Sequence, residues 1–249
     1  MAEYITSKTN PYMQHVRKLR TDRAYRYEQR QYIADGLKLL TEALKWDVKI
    51  CTVISCVDVQ LPPMPAQIRH IIVPSSLMHD LSRMDTPQGV ITVCQIPDRQ
   101  PICLTKGCLI LDGIQDPGNL GTILRTADAF DVQVILSDGC ADPFGEKTVR
   151  ATMGVPFRTK ICQAPREEII SACRASDIPL IVTALTDRAK DLRELPLSAA
   201  AVVIGSEGRG ASEEFLAAAD AEAIIPMSAR CESLNAAVAS AIVMWQMKC

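Results

Sequence analysis

The side chains of this chain best placed to do chemistry stand in turns that follow short apolar runs. Val202-Val203-Ile204 breaks into Gly205-Ser206-Glu207-Gly208, Ile224-Ile225 breaks into Pro226-Met227, and Glu232-Ser233-Leu234-Asn235 opens a helix. Three backbone turns of this kind can converge on one ligand. Upstream, the run Leu109-Ile110-Leu111 leads into Asp112-Gly113-Ile114-Gln115-Asp116-Pro117-Gly118-Asn119-Leu120-Gly121 and, further on, Arg125.

In that upstream stretch a buried strand ends at Leu111, the chain turns through Pro117-Gly118 and a helix begins near Asn119. Free amide groups and the positive helix end therefore face whatever binds there. Arg125 lies about a turn and two-thirds beyond Asn119, so both side chains border the same mouth without sharing one stripe. The competing reading is a dinucleotide-binding turn with a stray arginine. Against it, Gly118-Asn119-Leu120-Gly121 does not fit the Gly-x-Gly-x-x-Gly fingerprint. The glycine-rich run Gly205 to Gly210 likewise lacks the Gly-Lys-Ser/Thr ending of a phosphate loop, and its glycines are read as letting backbone approach a flat ligand. Glu207, a lone acid in a turn, is expected to orient backbone rather than exchange protons. Ser233 is also readable as a helix N-cap. Lys147 and Arg150, three apart, share a helix face and offer two cations to phosphates, or else mark a solvated helix start.

The elements that must position these residues follow from periodicity. From Gly107 on, the runs Cys108–Leu111, Val132–Leu136, Leu180–Val182, Ala201–Ile204 and Glu222–Ile225 are short and nearly continuously apolar, as in parallel strands covered on both faces. Helices are predicted over Leu120–Phe130, Arg166–Ala175, Ser212–Ala219 and Ser233–Met247. The fold class is α/β with a mostly parallel sheet. The stripe Leu234, Ala237, Val238, Ala241, Ile242 and Trp245 of the last helix is accounted for by burial in the domain core. The first hundred residues read as a small mixed domain, with a helix carrying Leu37, Leu40 and Leu44 and strands at Ile50–Ile54, Ile71–Val73 and Val90–Ile96. A proline-bearing stretch, Pro97 to Pro101, marks a linker. The predicted organisation is a domain over 1–96, a linker over 97–106 and a second domain over 107–249.

Composition excludes several classes. With 249 residues, 48% of them apolar, the chain can bury a sizeable core. No apolar run reaches the roughly 18 residues of a membrane span and the first residues lack a signal-peptide core, which predicts a soluble cytoplasmic protein without membrane partners. Cys51/Cys56 and Cys103/Cys108 have four intervening residues rather than two, and the chain has only 3 histidines, so no metal site is expected and the 10 cysteines read as reduced core residues. The net charge of −2 gives no global signal for nucleic acid. Locally, however, Lys8, Arg17, Lys18, Arg20, Arg23, Arg26 and Arg30 face only Glu3, Asp22 and Glu28 among residues 1–30. Such a patch either contacts phosphates or is a solvated helix face.

Taken together, the four motifs in this order and spacing resemble the SpoU (TrmH-type) family of RNA ribose 2′-O-methyltransferases, within the knotted SPOUT superfamily. The resemblance is strong from Leu109 on. Before that, Asn10-Pro11, the basic helix and Ala34-Asp35-Gly36-Leu37 to Leu44 resemble the family's RNA substrate-binding domain. It implies a second domain with a deep trefoil knot, S-adenosylmethionine as cofactor, no metal, and a homodimer. The implied cofactor pocket comprises Ile204, Gly205, Ile225, Met227 and Leu234. The implied catalytic set is Arg125, Asn119, Ser233, Asn235 and Glu207, and the RNA contacts are Arg17, Lys18, Arg20, Arg23, Arg26, Lys147 and Arg150. The family's usual glycine is replaced by Ala229. Free guanidinium is a poor base near neutrality, so Arg125 is assigned to stabilising a developing 2′-alkoxide or holding the adjacent phosphate. The implied substrate is ribosomal or transfer RNA, with ribosomal RNA preferred. The alternatives are a catalytically silent RNA-binding or ribosome-assembly factor of the same fold and, against the missing fingerprint, an NAD-dependent dehydrogenase.

Overall fold

A computed structural model of the chain describes residues 2–82, 84–98, 101–228 and 230–249. The polypeptide forms two compact units. The first runs up to Asp98 and takes in Phe144–Arg158; the second holds the stretch ending at Pro143 together with Thr159–Cys249. The division differs from the predicted one in the excursion 144–158, which leaves the α/β half of the sequence to pack in the first unit. Of the predicted linker, Arg99 and Gln100 lie outside the described residues.

The first unit carries a five-stranded mixed sheet. Its strands are β1 (Glu3–Tyr4), β2 (Gln31–Asp35), β3 (Ile50–Ser55), β4 (Arg69–Ile72) and β5 (Val90–Gln95), in the order β1-β4-β3-β5-β2. The pairings β1/β4 and β3/β4 are parallel; β5 runs antiparallel to both β3 and β2. Helices α1 (Pro11–Thr21), α2 (Arg23–Gln29), α3 (Leu37–Lys45) and α4 (Ser75–Leu81) complete it. On one side Met13, Val16 and Leu19 of α1 and Leu77, Met78 and Leu81 of α4 pack on Ile33, Ile54, Ile71 and Val93. Another cluster joins Tyr32, Ala34, Leu39 and Ala43 to Phe144, Val149 and Phe157. That second cluster explains the excursion: its three apolar side chains are buried against Tyr32, whose ring lies 5.1 Å from Phe144. β2 alternates between the two clusters and so shows a continuous apolar run rather than the period-two pattern of a half-exposed strand.

The predicted basic helix is two helices. Asp22 ends α1 and caps α2, accepting a hydrogen bond from Tyr25 N–H. The break turns two arginines inward. Arg20 Nη2 lies 3.2 Å from Asp35 Oδ2 and its Nε 2.7 Å from Glu146 Oε2, all three side chains being no more than 10% exposed. Arg26 donates to the carbonyls of Leu19 and Arg20 at 2.7 and 3.1 Å. Both are therefore removed from the expected phosphate contacts, because guanidiniums committed to interior acceptors are not available to RNA.

The second unit is built on seven parallel strands. They are β6 (Cys108–Asp112), β7 (Val134–Leu136), β8 (Cys162–Gln163), β9 (Leu180–Thr183), β10 (Lys190–Asp191), β11 (Ala201–Gly205) and β12 (Ala221–Ile224). Their order is β10-β12-β9-β11-β6-β7-β8. Helices α5 (Pro117–Phe130), α7 (Arg166–Ala175), α8 (Glu213–Ala218) and α9 (Ala236–Lys248) cover it, while α6 (Glu146–Thr152) lies in the 144–158 excursion. Ile110, Ile135, Val182 and Val203 pack with Ile169, Cys173 and Phe215, while α9 packs on α5 and β11. The sheet is buried on both faces, as continuous apolar strands require.

α9 corrects one expectation. Its buried residues are Ala236, Ala237, Ser240, Val243, Met244 and Met247, whereas Val238 and Trp245 are 50% and 61% exposed. The stripe through Val238, Ile242 and Trp245 thus points away from the core. Nearly every side of this helix is apolar, so the sequence does not single out the inner face. Among the described residues no helix is long and apolar enough to cross a membrane.

Candidate functional site

In an all-parallel sheet every strand ends at the same edge, so the segments following β6 and β11 emerge side by side and the one following β12 two strands beyond β11. Ligands of open α/β sheets bind outside these carboxyl ends, where connections diverge to opposite sides. Here the divergence lies between β6, followed by β7 and β8 on one side, and β11, which separates β6 from β9.

Helix α5 starts two residues before the predicted point. Pro117 occupies its first turn, and Asp116 is the N-cap, accepting from Asn119 N–H at 2.7 Å. Asn119 is thereby fixed at the mouth and ties the turn after β6 to the turn after β11 and to the start of α9. Its Nδ2 donates to Glu207 Oε1 at 2.6 Å, and its Oδ1 accepts from Asn235 Nδ2 at 3.1 Å. Asn235 in turn caps α9, its Oδ1 accepting from Ala237 and Val238 N–H at 2.9 and 3.3 Å. Every amide group in this chain of bonds has one consistent orientation. Two expectations change. Glu207 holds the side chain of Asn119 rather than backbone, and Ser233 is not the helix N-cap, because α9 begins three residues later with Asn235 in that role. Ser233 is exposed beside it.

The turn after β11 is closed by its own backbone. Ser206 N–H donates to Gly210 C=O and Gly210 N–H to Ser206 C=O, both at 2.9 Å. A side-chain carbon on Gly205 would sit 2.1 Å from Ala211 N and from Gly210 C. Gly205 is thus required by the approach of the returning chain, and not by that of a ligand alone. Gly210 has φ +69°, the left-handed region that glycine enters freely. The Ile204 side chain is only 3% exposed, so it can offer a ligand only backbone. Ile225, Met227 and Leu234 are half-buried and supply apolar side chains after β12. Ala229 lies outside the described residues.

Arg125 stands on α5 as an exposed side chain with no hydrogen bond or ion pair among the described residues. A cation left unpaired on the helix that Asn119 opens is available to an anion. Lys147 is exposed and Arg150 partly so, on α6, where Arg150 lies 3.8 Å from Glu146. Both belong to the first unit, as do Arg17, Lys18 and Arg23. Arg17 is engaged by Asp80 through Nε at 3.0 Å, and this contact holds the Asp80 carboxyl below its ordinary range. Lys18 and Arg23 are exposed.

Two contributors escaped the sequence reading. Leu185, following β9, is 64% exposed at the same sheet edge, and β9 lies between β11 and β12. Asp112 ends β6 with a carboxylate only 2% exposed that accepts three donors. Ser137 Oγ and Arg166 Nε each lie 2.8 Å from Oδ1, and Ser212 N lies 2.7 Å from Oδ2. The last bond pins the chain leaving the glycine turn. Asp112→Asn, which offers one acceptor atom in place of two, is expected to lower unfolding free energy by on the order of 3 kcal/mol in urea titrations, with a parallel loss of cofactor affinity. Unchanged urea midpoints would mean that the three donors find other acceptors.

Three buried cysteines are held as thiols, whereas Cys103, Cys231 and Cys249 are exposed and so depart from the expectation that all ten are core residues. Burial pushes the Cys108 thiol up to about 12 and the Cys140 and Cys173 thiols up to about 11. Among the described residues no group of three or more metal-ligating side chains is assembled.

A sequence profile of the SpoU rRNA methylase family matches residues 106–245, and one for an MRM3-like substrate binding domain matches residues 10–92. The chain is 30% identical to a 23S rRNA (guanosine(2553)-2′-O)-methyltransferase of Bacillus subtilis, over 98% of each chain. It is 27% identical to a 23S rRNA (uridine(2479)-2′-O)-methyltransferase of Streptomyces viridochromogenes, over 70% of this chain and 64% of that one. Among solved structures, an AdoMet-bound rRNA methyltransferase from Sinorhizobium meliloti superposes with a TM-score of 0.88 at 32% identity, covering 99% of this chain and 97% of that one.

Proposed function

The chain belongs to the SpoU rRNA methylase family, and from that membership and the geometry of its sheet edge we propose that it methylates ribose 2′-hydroxyls of RNA with S-adenosylmethionine. The observation that carries this reading is the Glu207–Asn119–Asn235 chain of hydrogen bonds, which joins the turn after β6, the turn after β11 and the start of α9, with the uncommitted Arg125 six residues along α5 from Asn119. Ribosomal RNA is the preferred substrate class, since the relatives from Bacillus and Streptomyces are named for 23S rRNA. Those two names carry different nucleotides, guanosine and uridine, so membership alone does not select the base.

The residues at the edge fit the cofactor. The closed turn after Gly205 presents backbone donors and acceptors, and Ile225, Met227, Leu234 and Leu185 give an apolar wall suited to an adenosine ring system. Bound S-adenosylmethionine supplies a methyl group already activated by the sulfonium charge. The protein's own work is alignment, which can lower a bimolecular barrier by as much as roughly 7–11 kcal/mol, and relief of charge on the attacking oxygen. Arg125 stabilises the developing 2′-alkoxide or holds the neighbouring phosphate; Ser233 and Asn235 border the same mouth. Lys18, Arg23, Lys147 and Arg150 are the surface cations that contact RNA phosphates, with Arg17 held beside them by Asp80.

The reading includes a homodimer, supported by the outward apolar stripe of α9, where Trp245 also stacks edge-on against Phe130 with centroids 5.9 Å apart. It includes a trefoil knot in the second unit, supported by membership of the SpoU methylase family. Cytoplasmic residence is supported by ten cysteines that are all unpaired. Titration calorimetry with S-adenosylmethionine and with NAD, each with and without chelator, tests the cofactor. Binding of the methyl donor unaffected by chelator is expected, with no heat from NAD; binding of NAD alone would favour a dehydrogenase.

A further inference from the structure

The solvent side of α1 and the start of α2 border an open surface cavity of about 730 Å³ lined by Gln14, His15, Arg17, Lys18, Thr21 and Tyr25, with Asp80 at its border. This volume is in the range that a small-molecule-sized group fills. The lining is organised by the helix. Gln14, Arg17, Lys18 and Thr21 follow the i, i+3, i+4, i+7 pattern on one face, while Met13, Val16 and Leu19 are in the core on the other. Tyr25 is held from behind: its Oη lies 2.8 Å from His15 Nδ1, and His15 Nε2 lies 2.9 Å from Gln31 Oε1. The Lys18 ammonium lies 4.4 Å from the centroid of the Tyr25 ring. The Tyr12 ring, packed against the core cluster, lies 5.3 Å from that of His15.

We infer that this cavity receives one unpaired nucleotide of the RNA substrate, its base stacked on Tyr25 and its phosphate met by Lys18 and Arg17. The inference rests on the RNA-methylating reading and names a subsite within it. Three features favour an unpaired nucleotide over duplex backbone alone. A fixed aromatic ring offers stacking, and a paired base within a duplex has no free face to accept it. The cation on that ring sits on a flexible, exposed stem, so it can swing from ring to phosphate when a base arrives. Gln14 and Thr21, exposed on the same stripe, provide donors and acceptors for a base edge, which phosphate contact does not require. Arg20 borders the cavity but is committed to Asp35 and Glu146 and supplies its rigid wall.

The test compares a single-stranded RNA oligonucleotide with its fully paired duplex, in binding to the full chain at several salt concentrations. The single strand is expected to bind more tightly. Lys18→Glu and Thr21→Glu, both at exposed positions, should each weaken single-strand binding about tenfold or more. Tyr25→Leu should weaken it about tenfold with an unchanged salt slope, while Tyr25→Phe, which keeps the ring but gives up the bond to His15, should weaken it less than Tyr25→Leu does. S-adenosylmethionine affinity should stay constant throughout. Parent-like single-strand binding by Lys18→Glu and Thr21→Glu, or equal affinity for strand and duplex, would overturn the subsite. Failure of the methyltransferase reading shows separately, as absent donor binding in a protein that still discriminates between the two RNAs.

Discussion

Arg125→Ala is expected to leave folding and S-adenosylmethionine binding nearly intact and to remove most ribose methylation. The side chain is exposed and has no partner among the described residues, so truncation leaves no buried acceptor unsatisfied. Alanine is also the best helix former, so α5 does not lose stability by propensity. On the proposed assignment, what is lost is a positive charge where negative charge develops. Removing one such donor typically costs about 100- to 1,000-fold in kcat. An interaction made only in the transition state lowers kcat and kcat/KM together. Arg125→Lys should recover little, because an ammonium does not reproduce the planar fork of a guanidinium. Parent-like turnover by the alanine variant would move the assignment to Ser233 and Asn235.

Gly205→Ala should damage the cofactor turn more than any other single-methyl change. The added carbon would meet only backbone, at 2.1 Å from Ala211 N and 2.4 Å from Gly210 O, and backbone cannot rotate out of the way. Relief requires opening the Ser206–Gly210 pair that closes the turn. Overpacking of this kind costs about 1–3 kcal/mol and occasionally more. If the strain falls on the turn, donor affinity drops by roughly 5- to 150-fold. Gly208→Ala is the matched control, because nothing lies within 4 Å of a carbon added there. Equal donor affinity in the two variants would show that the turn is not part of the cofactor site.

The second unit was legible because its strands are buried on both faces and so appear as unbroken apolar runs; α7 falls on Arg166–Ala175 as the periodicity predicts. The two-residue strands β8 and β10 are too short to show any period. The excursion 144–158 was illegible for a different reason. Phe144, Val149 and Phe157 find their partner, Tyr32, more than a hundred residues earlier, and no local pattern announces it. The same distance hid the fate of Arg20 and Arg26. A charge count along α1 and α2 sees cations, but only the fold brings Asp35 and Glu146 to Arg20 and two carbonyls to Arg26.

At the site, the turns and their residues were readable from motif order, whereas the bonds among them were not. Asn119, Glu207 and Asn235 are separated by 88 and 116 residues in the pairs they form. Asp112, whose three donors stand 25, 54 and 100 residues away, looks in sequence like any polar residue ending a strand. Local chemistry identifies candidates; sheet order determines which of them meet.

Ribose 2′-O-methylation of RNA is tested most directly by transfer of a labelled methyl group from S-adenosylmethionine to ribosomal RNA by the purified protein, followed by nucleoside digestion and mass spectrometry. A 2′-O-methylated nucleoside is expected, formed in the presence of chelator and absent with Arg125→Ala. Methyl groups found on bases, or none transferred to ribosomal or transfer RNA by a protein that binds the donor, would contradict it.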